Sequence, residues 1–259
     1  MKKLLALVIT AILCLGACFS VVGCNKNDKL VLGFDSDFPP YGYEENGEFV
    51  GFDIEYAKKV CGNLGYELEL KPIDWNAKDS LLDSGAIDFI WNGFTYQGRE
   101  DKYEWTSQYL NNSIVVLTKD ASINTLADLA GKAVAAQQDS SGESALNNAN
   151  NAALKASFKN GTFSTEPDYV AACEKLVAGT YDAIVVDYGV AKYLVSKNSA
   201  LKIADEAVAT ETYAVGIKKG NVELCKKIDG VMKKVGKDET FIKCLCTKYG
   251  VEYDAFLLK

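Results

Sequence analysis

The sequence predicts an α/β protein long enough for two small lobes, and three observations carry that expectation. Short apolar runs alternate with amphipathic stretches along nearly the whole chain, the pattern of strands and helices laid in layers. Removing an amino-terminal leader, residues 1–23, leaves 236 of the 259 residues, enough for two cores. Acidic and aromatic residues stand just past apolar strands, at the carboxyl ends where α/β sheets bind ligands.

The leader is read from Lys2 and Lys3, the apolar run 4–15 and the small residues after it. About a dozen apolar residues are too few for a comfortable membrane span. Val21-Val22-Gly23-Cys24 resembles a lipobox, in which the cysteine is lipidated and becomes the new amino terminus. Leu15-Gly16-Ala17-Cys18 fits the same pattern less well, because it leaves an apolar tail at 19–22. With Cys24 acylated, residues 24–29 form a polar tether on the outer face of the cell membrane. An ordinary cleaved leader with a chance cysteine is the alternative.

Past the tether, residues 31–34 form a short buried strand. Phe38-Pro39-Pro40-Tyr41 stiffens the loop after it, since each proline fixes φ and holds the preceding residue extended. A short hairpin follows, then a helix with Asp53 as its N-cap and an apolar stripe of Ile54, Ala57, Val60, Cys61 and Leu64. Residues 66–72 read as a strand, 77–84 as a helix stopped by Gly85, and 87–91 (IDFIW) as a central strand. Residues 112–119 form another strand, 125–132 a helical turn ending in glycine, and 133–137 a strand. A helix over 168–178 leads to a strand at 182–186 with Asp187 at its end. A late strand at 212–217 and an amphipathic helix at 222–235 complete the pattern.

Composition excludes several function classes. The net charge is −7, or −9 without the two leader lysines, and a pI near 4.9 argues against nucleic acid as a partner. The chain has no histidine, which removes the commonest general base, the commonest metal ligand and every Ser-His or Cys-His pair. No Walker-type phosphate loop is present, and neither metal nor cofactor is expected. Cys244-Leu245-Cys246 lacks a second pair at zinc spacing. Cys61 and Cys173 fall on apolar helix faces and read as small buried hydrophobes. Pairing of Cys225 with Cys244 or Cys246 stays open at this level.

Residues 30–56, LVLGFDSDFPPYGYEENGEFVGFDIEY, resemble the start of the amino-acid-binding proteins of ABC importers, the bilobed solute receptors. The likeness runs over nearly all of the chain after the leader and is strongest from 30 to 110. It implies a periplasmic-binding-protein-like (Venus flytrap) fold, two parallel-sheet-rich lobes joined by a two-strand hinge. It further implies a discontinuous first lobe, 28–112 with 210–259, a second lobe at 113–209, and hinge crossings near 112–117 and 210–215.

The resemblance also assigns a ligand site. Trp91-Asn92-Gly93-Phe94-Thr95-Tyr96-Gln97-Gly98-Arg99 is similar to the family's Gly-Phe-Thr…Arg signature. There Arg99 grips the ligand's carboxylate bidentately, and the Gly93 carbonyl and Thr95 hydroxyl meet its ammonium. The run 182–187 (DAIVVD) is similar to the strand whose terminal aspartate, here Asp187, binds the ammonium, although Asp187 is also suited to capping the next helix. Gln137-Gln138-Asp139-Ser140-Ser141 occupies the place of a Gln-x-Gly-Thr-Thr turn that takes the carboxylate's other side. Its serines are equally suited to capping the next helix, and Asp139 departs from the family's glycine by setting an acid beside an anion site. Asp35, Phe38 and Trp75, with Phe94, complete the pocket: flat faces for the side chain and an acid for its tip.

What this implies is a monomeric receptor that closes its two lobes on a free, polar amino acid and delivers it to an ABC transporter permease. Binding alone needs no general base, so no catalytic residue is assigned. Two other readings stay open. One is an extracellular dehydratase on the same scaffold, with Asp35 or Glu211 as its acid. The other is a surface adhesin or sensor domain. Glutamine, arginine, lysine, histidine and cystine all remain open as ligands.

Overall fold

The computed structural model describes residues 29–259. The leader, Cys18, Cys24 and residues 24–28 of the tether lie outside the described residues. Two sheets organise the remainder. In the first, β1 (Lys29–Phe34) runs parallel to β5 (Glu67–Pro72), in register from Lys29↔Glu67 to Phe34↔Pro72, and parallel to β6 (Phe89–Ile90) on its other side. Two antiparallel strands, β14 (Gly216–Lys218) and β7 (Tyr103–Trp105), finish that sheet in the order β5-β1-β6-β14-β7. A three-stranded flap of β2 (Asp37–Phe38), β3 (Gly42–Glu45) and β4 (Glu48–Val50) sits between β1 and the first helix.

The second sheet is ordered β10-β9-β11-β8-β12, with β13 also on β8. Its parallel part is β10 (Ser164–Glu166), β9 (Val134–Gln137) and β11 (Ala183–Asp187). Against β11 lies β8 (Leu110–Thr118), antiparallel, and β8 in turn pairs with β12 (Lys202–Ile203) and β13 (Ala209–Tyr213). Each sheet has its own apolar packing: Ile114, Val116, Val134 and Val185 in the second, Trp75, Leu82, Ile90 and Phe94 at one end of the first.

The helices are α1 (Phe52–Leu64), α2 (Lys78–Ser84), α3 (Ser141–Asn147), α4 (Ala152–Ser157), α5 (Tyr169–Ala178), α6 (Tyr188–Lys197), α7 (Val222–Gly236) and α8 (Glu239–Tyr249). In α1, Ile54, Ala57, Val60 and Cys61 are buried as the stripe requires, while Leu64 is only partly covered. The α1 N-cap is Gly51, not Asp53. Gly51 has φ 141°, and a Cβ there would lie 2.2 Å from the Tyr41 carbonyl oxygen, so only glycine passes and the helix begins before the acid.

Two expected strands change shape for identifiable reasons. Of 87–91 only Phe89–Ile90 joins the ladder, because the Asp88 side chain accepts the Val31 N–H at 2.7 Å where a strand carbonyl would. The run 212–217 is two strands in two sheets. After Tyr213 the chain leaves β8, Ala214 N–H donates to the Phe94 carbonyl at 3.0 Å, and Val215 N–H donates to Thr106 Oγ1 at 3.0 Å before β14 starts. The β8–β13 pair, in register from Ala209↔Ile114 to Tyr213↔Leu110, is therefore where the chain passes between the sheets in both directions.

Cys61, Cys173, Cys225 and Cys246 are buried and Cys244 is exposed, all as free thiols. Among the described residues no helix is long and apolar enough to cross a membrane.

Candidate functional site

All eleven residues expected around the ligand line one cavity of about 290 Å³ between the two sheets, and Asn92 joins them. The wall is made at and after the ends of β1, β5, β6, β9 and β11, with Phe38 from β2, so both sheets contribute strand carboxyl ends.

Arg99 reaches the cavity from the loop after β6. Its guanidinium lies over the Phe94 ring, 5.2 Å from the centroid. Nη1 donates to the Thr95 carbonyl at 3.4 Å and Nη2 to the Asp139 carbonyl at 3.3 Å. No carboxylate pairs with Arg99 among the described residues, so its charge is met only by neutral acceptors.

The opposite wall is anionic. Asp187, at the end of β11, is 1% exposed; its Oδ1 accepts from Tyr213 OH at 2.5 Å and Asn112 Nδ2 at 3.0 Å. It is the N-cap residue of α6, yet its side chain makes no capping bond. Asn112 Nδ2 also donates to Glu211 Oε1 at 2.7 Å, and Thr95 Oγ1 donates to Glu211 Oε2 at 3.0 Å. Two buried carboxylates thus share one amide. Burial pushes Asp187 up from the usual carboxylate range, and burial with the neighbouring Asp187 charge pushes Glu211 up further.

At the far end, Asp35 is buried after β1. Its Oδ2 accepts from Gln137 Nε2 at 2.7 Å and its Oδ1 from Asp37 N–H at 2.9 Å. Burial outweighs these bonds and pushes the acid up to about 6. Phe38 packs at 6.0 Å from Tyr169 of α5, and Trp75 meets Phe94 edge-on at 5.4 Å. Phe38 also lies 5.7 Å from Tyr41, and both Phe38 and Trp75 stand at the cavity wall.

The serine turn acts as a cap. Ser140 Oγ accepts from Glu143 N–H at 3.1 Å and from Tyr169 OH at 3.2 Å, and donates to the Gln137 carbonyl at 2.7 Å. Asp139, in the family's glycine position, adopts φ 55° and turns its carboxylate away from the cavity to pair with the buried Lys78 of α2. Its carbonyl accepts from both Arg99 and Trp75 Nε1, the latter at 3.2 Å. The acid beside the expected anion site is thereby neutralised by a lysine that nothing in the sequence marked.

Sequence reasoning also missed Asp53 as a site-building residue. Its Oδ2 accepts from Gly93 N–H at 2.5 Å and from Tyr109 OH at 2.7 Å, which ties the 93–99 loop to α1. Gly93 has φ 55°, and a Cβ would lie 2.8 Å from Phe38 Cε1 and 3.2 Å from Tyr213. Gly93→Ala is expected to cost about 1–2 kcal/mol of stability and to displace Phe38 from the cavity wall. Denaturant unfolding measures the first effect, and loss of ligand affinity the second.

The cavity lies between two sheets, with a guanidinium on one side and carboxylates on the other. Residues 30–251 match the family described as bacterial extracellular solute-binding proteins, family 3, and the chain belongs to that family. It is 30% identical over 222 residues to the L-cystine-binding protein TcyJ of Escherichia coli (strain K12), covering 83% of this chain and 80% of that one. A substrate-binding protein of an ABC uptake transporter from Streptococcus pneumoniae, solved with bound histidine, superposes with a TM-score of 0.82 at 31% identity, covering 88% of this chain and 94% of that one. Tv2483 bound to L-arginine superposes at 0.80 with 30% identity, covering 90% and 94%.

Proposed function

We propose that this protein is the receptor of an ABC importer for a free amino acid whose side chain ends in a cation or a hydrogen-bond donor. One observation supports the reading above the rest: Arg99 and Asp187, reached from different sheets, line the same cavity while the buried Asp35 closes its other end. A zwitterion offers a carboxylate to the guanidinium and an ammonium to the aspartate, so neither charge leaves water unpaired. Ser141 and Gly93, Thr95 and Ser140 flank the two charged ends, and Gln137 holds Asp35.

The lobes are 28–112 with 210–259 and 113–209, hinged at the β8–β13 pair. Arg99 stands on the first and Asp187 on the second, so the grip is complete only when the lobes close, and the ligand's preference for the closed form drives closure. The protein works as a monomer, tethered through lipid on Cys24 to the outer face of the membrane, and presents its ligand to the permease.

A thermal-shift screen of the purified protein against the common amino acids tests this. Arginine, lysine, histidine, glutamine or cystine is expected to stabilise strongly; aspartate and glutamate are not, because Asp35 repels a second acid. Asp35→Asn is expected to weaken binding of a cationic ligand by about 1.5–3 kcal/mol. Stabilisation by glutamate alone would contradict the assignment. The raised Asp35 and Glu211 are also what a dehydratase acid needs, and recovery of the ligand unmodified after incubation separates receptor from enzyme.

A further inference from the structure

Asp187 and Glu211 are both buried, 1% and 7% exposed, and are held together by a single amide, Asn112 Nδ2, which donates to each. Neither has an ion-pair partner among the described residues. We propose that the two acids form one proton-exchanging seat for the ligand's ammonium: they share a proton before the ligand arrives and release it to solvent when the ammonium docks. This rests on the amino-acid-receptor reading and adds Glu211 to it as a positioning residue that sets the pH dependence of affinity.

No cation bonds either acid directly, although Arg99 attracts Asp187 through space across the cavity. Asp187 faces Tyr213 of β13, Tyr41 of the loop after β2 and Tyr169 of α5, all neutral phenols whose ionisation burial pushes well above the usual range. Glu211 faces Asn112 of β8 and Thr95 of the loop after β6. At the cleft mouth it shares a surface with Arg99, Lys102 and Asp139. Of these, Arg99 is engaged by two carbonyls and Asp139 by Lys78. Two adjacent buried carboxylates with no cation bonded to them resist double ionisation, and an arriving ammonium relieves that. The proton leaves as the ammonium's N–H groups replace it as donor. Burial alone does not distinguish this pair from Asp35, but a shared donor amide and mutual contact do.

Affinity therefore rises with pH while the pair still holds its proton, up to about tenfold per pH unit for one exchanged proton. The test is the concentration of an equimolar mixture of the twenty common L-amino acids with L-cystine giving half-maximal thermal stabilisation, measured across the acidic-to-neutral range. Asp35→Asn, which removes the other acid titrating in the pocket, is expected to keep the slope, whereas the double variant Asp35→Asn with Glu211→Gln is expected to be nearly flat. A slope as steep in the double variant as in Asp35→Asn overturns the proposal. Should that variant fail to fold, absence of any slope in Asp35→Asn overturns it equally. No stabilisation of the wild type at any pH overturns the receptor reading instead.

Discussion

Arg99→Ala is expected to reduce amino-acid affinity by ~3–5 kcal/mol, two to four orders of magnitude in Kd. The guanidinium is the cation available to an anion inside the cavity, since Lys78, the other cation nearby, is committed to Asp139. Removing it leaves the ligand's carboxylate desolvated with at most hydroxyl and amide donors. The wild-type fold is expected to survive, because Arg99 is only half-buried and bonds two carbonyls. Arg99→Lys should recover part of the charge but not the two parallel hydrogen bonds, and so fall between. Titration calorimetry with the best ligand of the screen measures all three; wild-type affinity in Arg99→Ala removes the charge clamp from the account.

The second large effect is on stability. Asp53→Ala strands the Gly93 N–H and Tyr109 OH in the core, at about 1–3 kcal/mol for each orphaned donor. It also frees the loop that carries Thr95 and Arg99, so binding should fall with stability. Burial pushes Asp53 up to about 7, against the bonds from Gly93 and Tyr109. Its Oδ1 and Trp91 Nε1 are both buried without hydrogen-bond partners, in keeping with a site poor in compensation for a charge. The folded value lies above the ordinary 3.8, so the folded state holds the proton more tightly. The stability this adds is fully present below about pH 4 and is lost as pH rises through about 7. Asp53→Asn keeps an acceptor and cannot titrate. Its unfolding free energy is expected to fall less than that of the wild type between those limits, and equal pH profiles for the two proteins would contradict the role given to Asp53.

Much of this site was legible because its residues sit at strand ends. The run 183–187 is apolar until its last residue, so position along the strand singled out Asp187, whereas Arg99 in the 91–99 loop was singled out by the family resemblance. The flat residues Phe38 and Trp75 were legible from their loops. What stayed hidden depends on tertiary contact. Lys78 looks like one more exposed helix lysine, and only the approach of Asp139 from the other sheet gives it a purpose. Asp53 reads as a cap because a carboxylate before an apolar stripe usually is one; the decisive fact, Gly51 threading past the Tyr41 carbonyl, is a packing constraint. Glu211 carried a faint mark, an acid inside the strand-forming run ATETY. The break at 214–215 could not be read from hydropathy, since both halves are buried strands that belong to different sheets.

The measurement that bears most directly on the central claim is a crystal structure of the protein with the amino acid that stabilises it most. The α-carboxylate is predicted on the Arg99 guanidinium, the α-ammonium within hydrogen-bond reach of Asp187, and the side chain directed at Asp35 between Phe38 and Trp75. A ligand lying elsewhere, or in this cavity with its carboxylate and ammonium touching neither Arg99 nor Asp187, would contradict it.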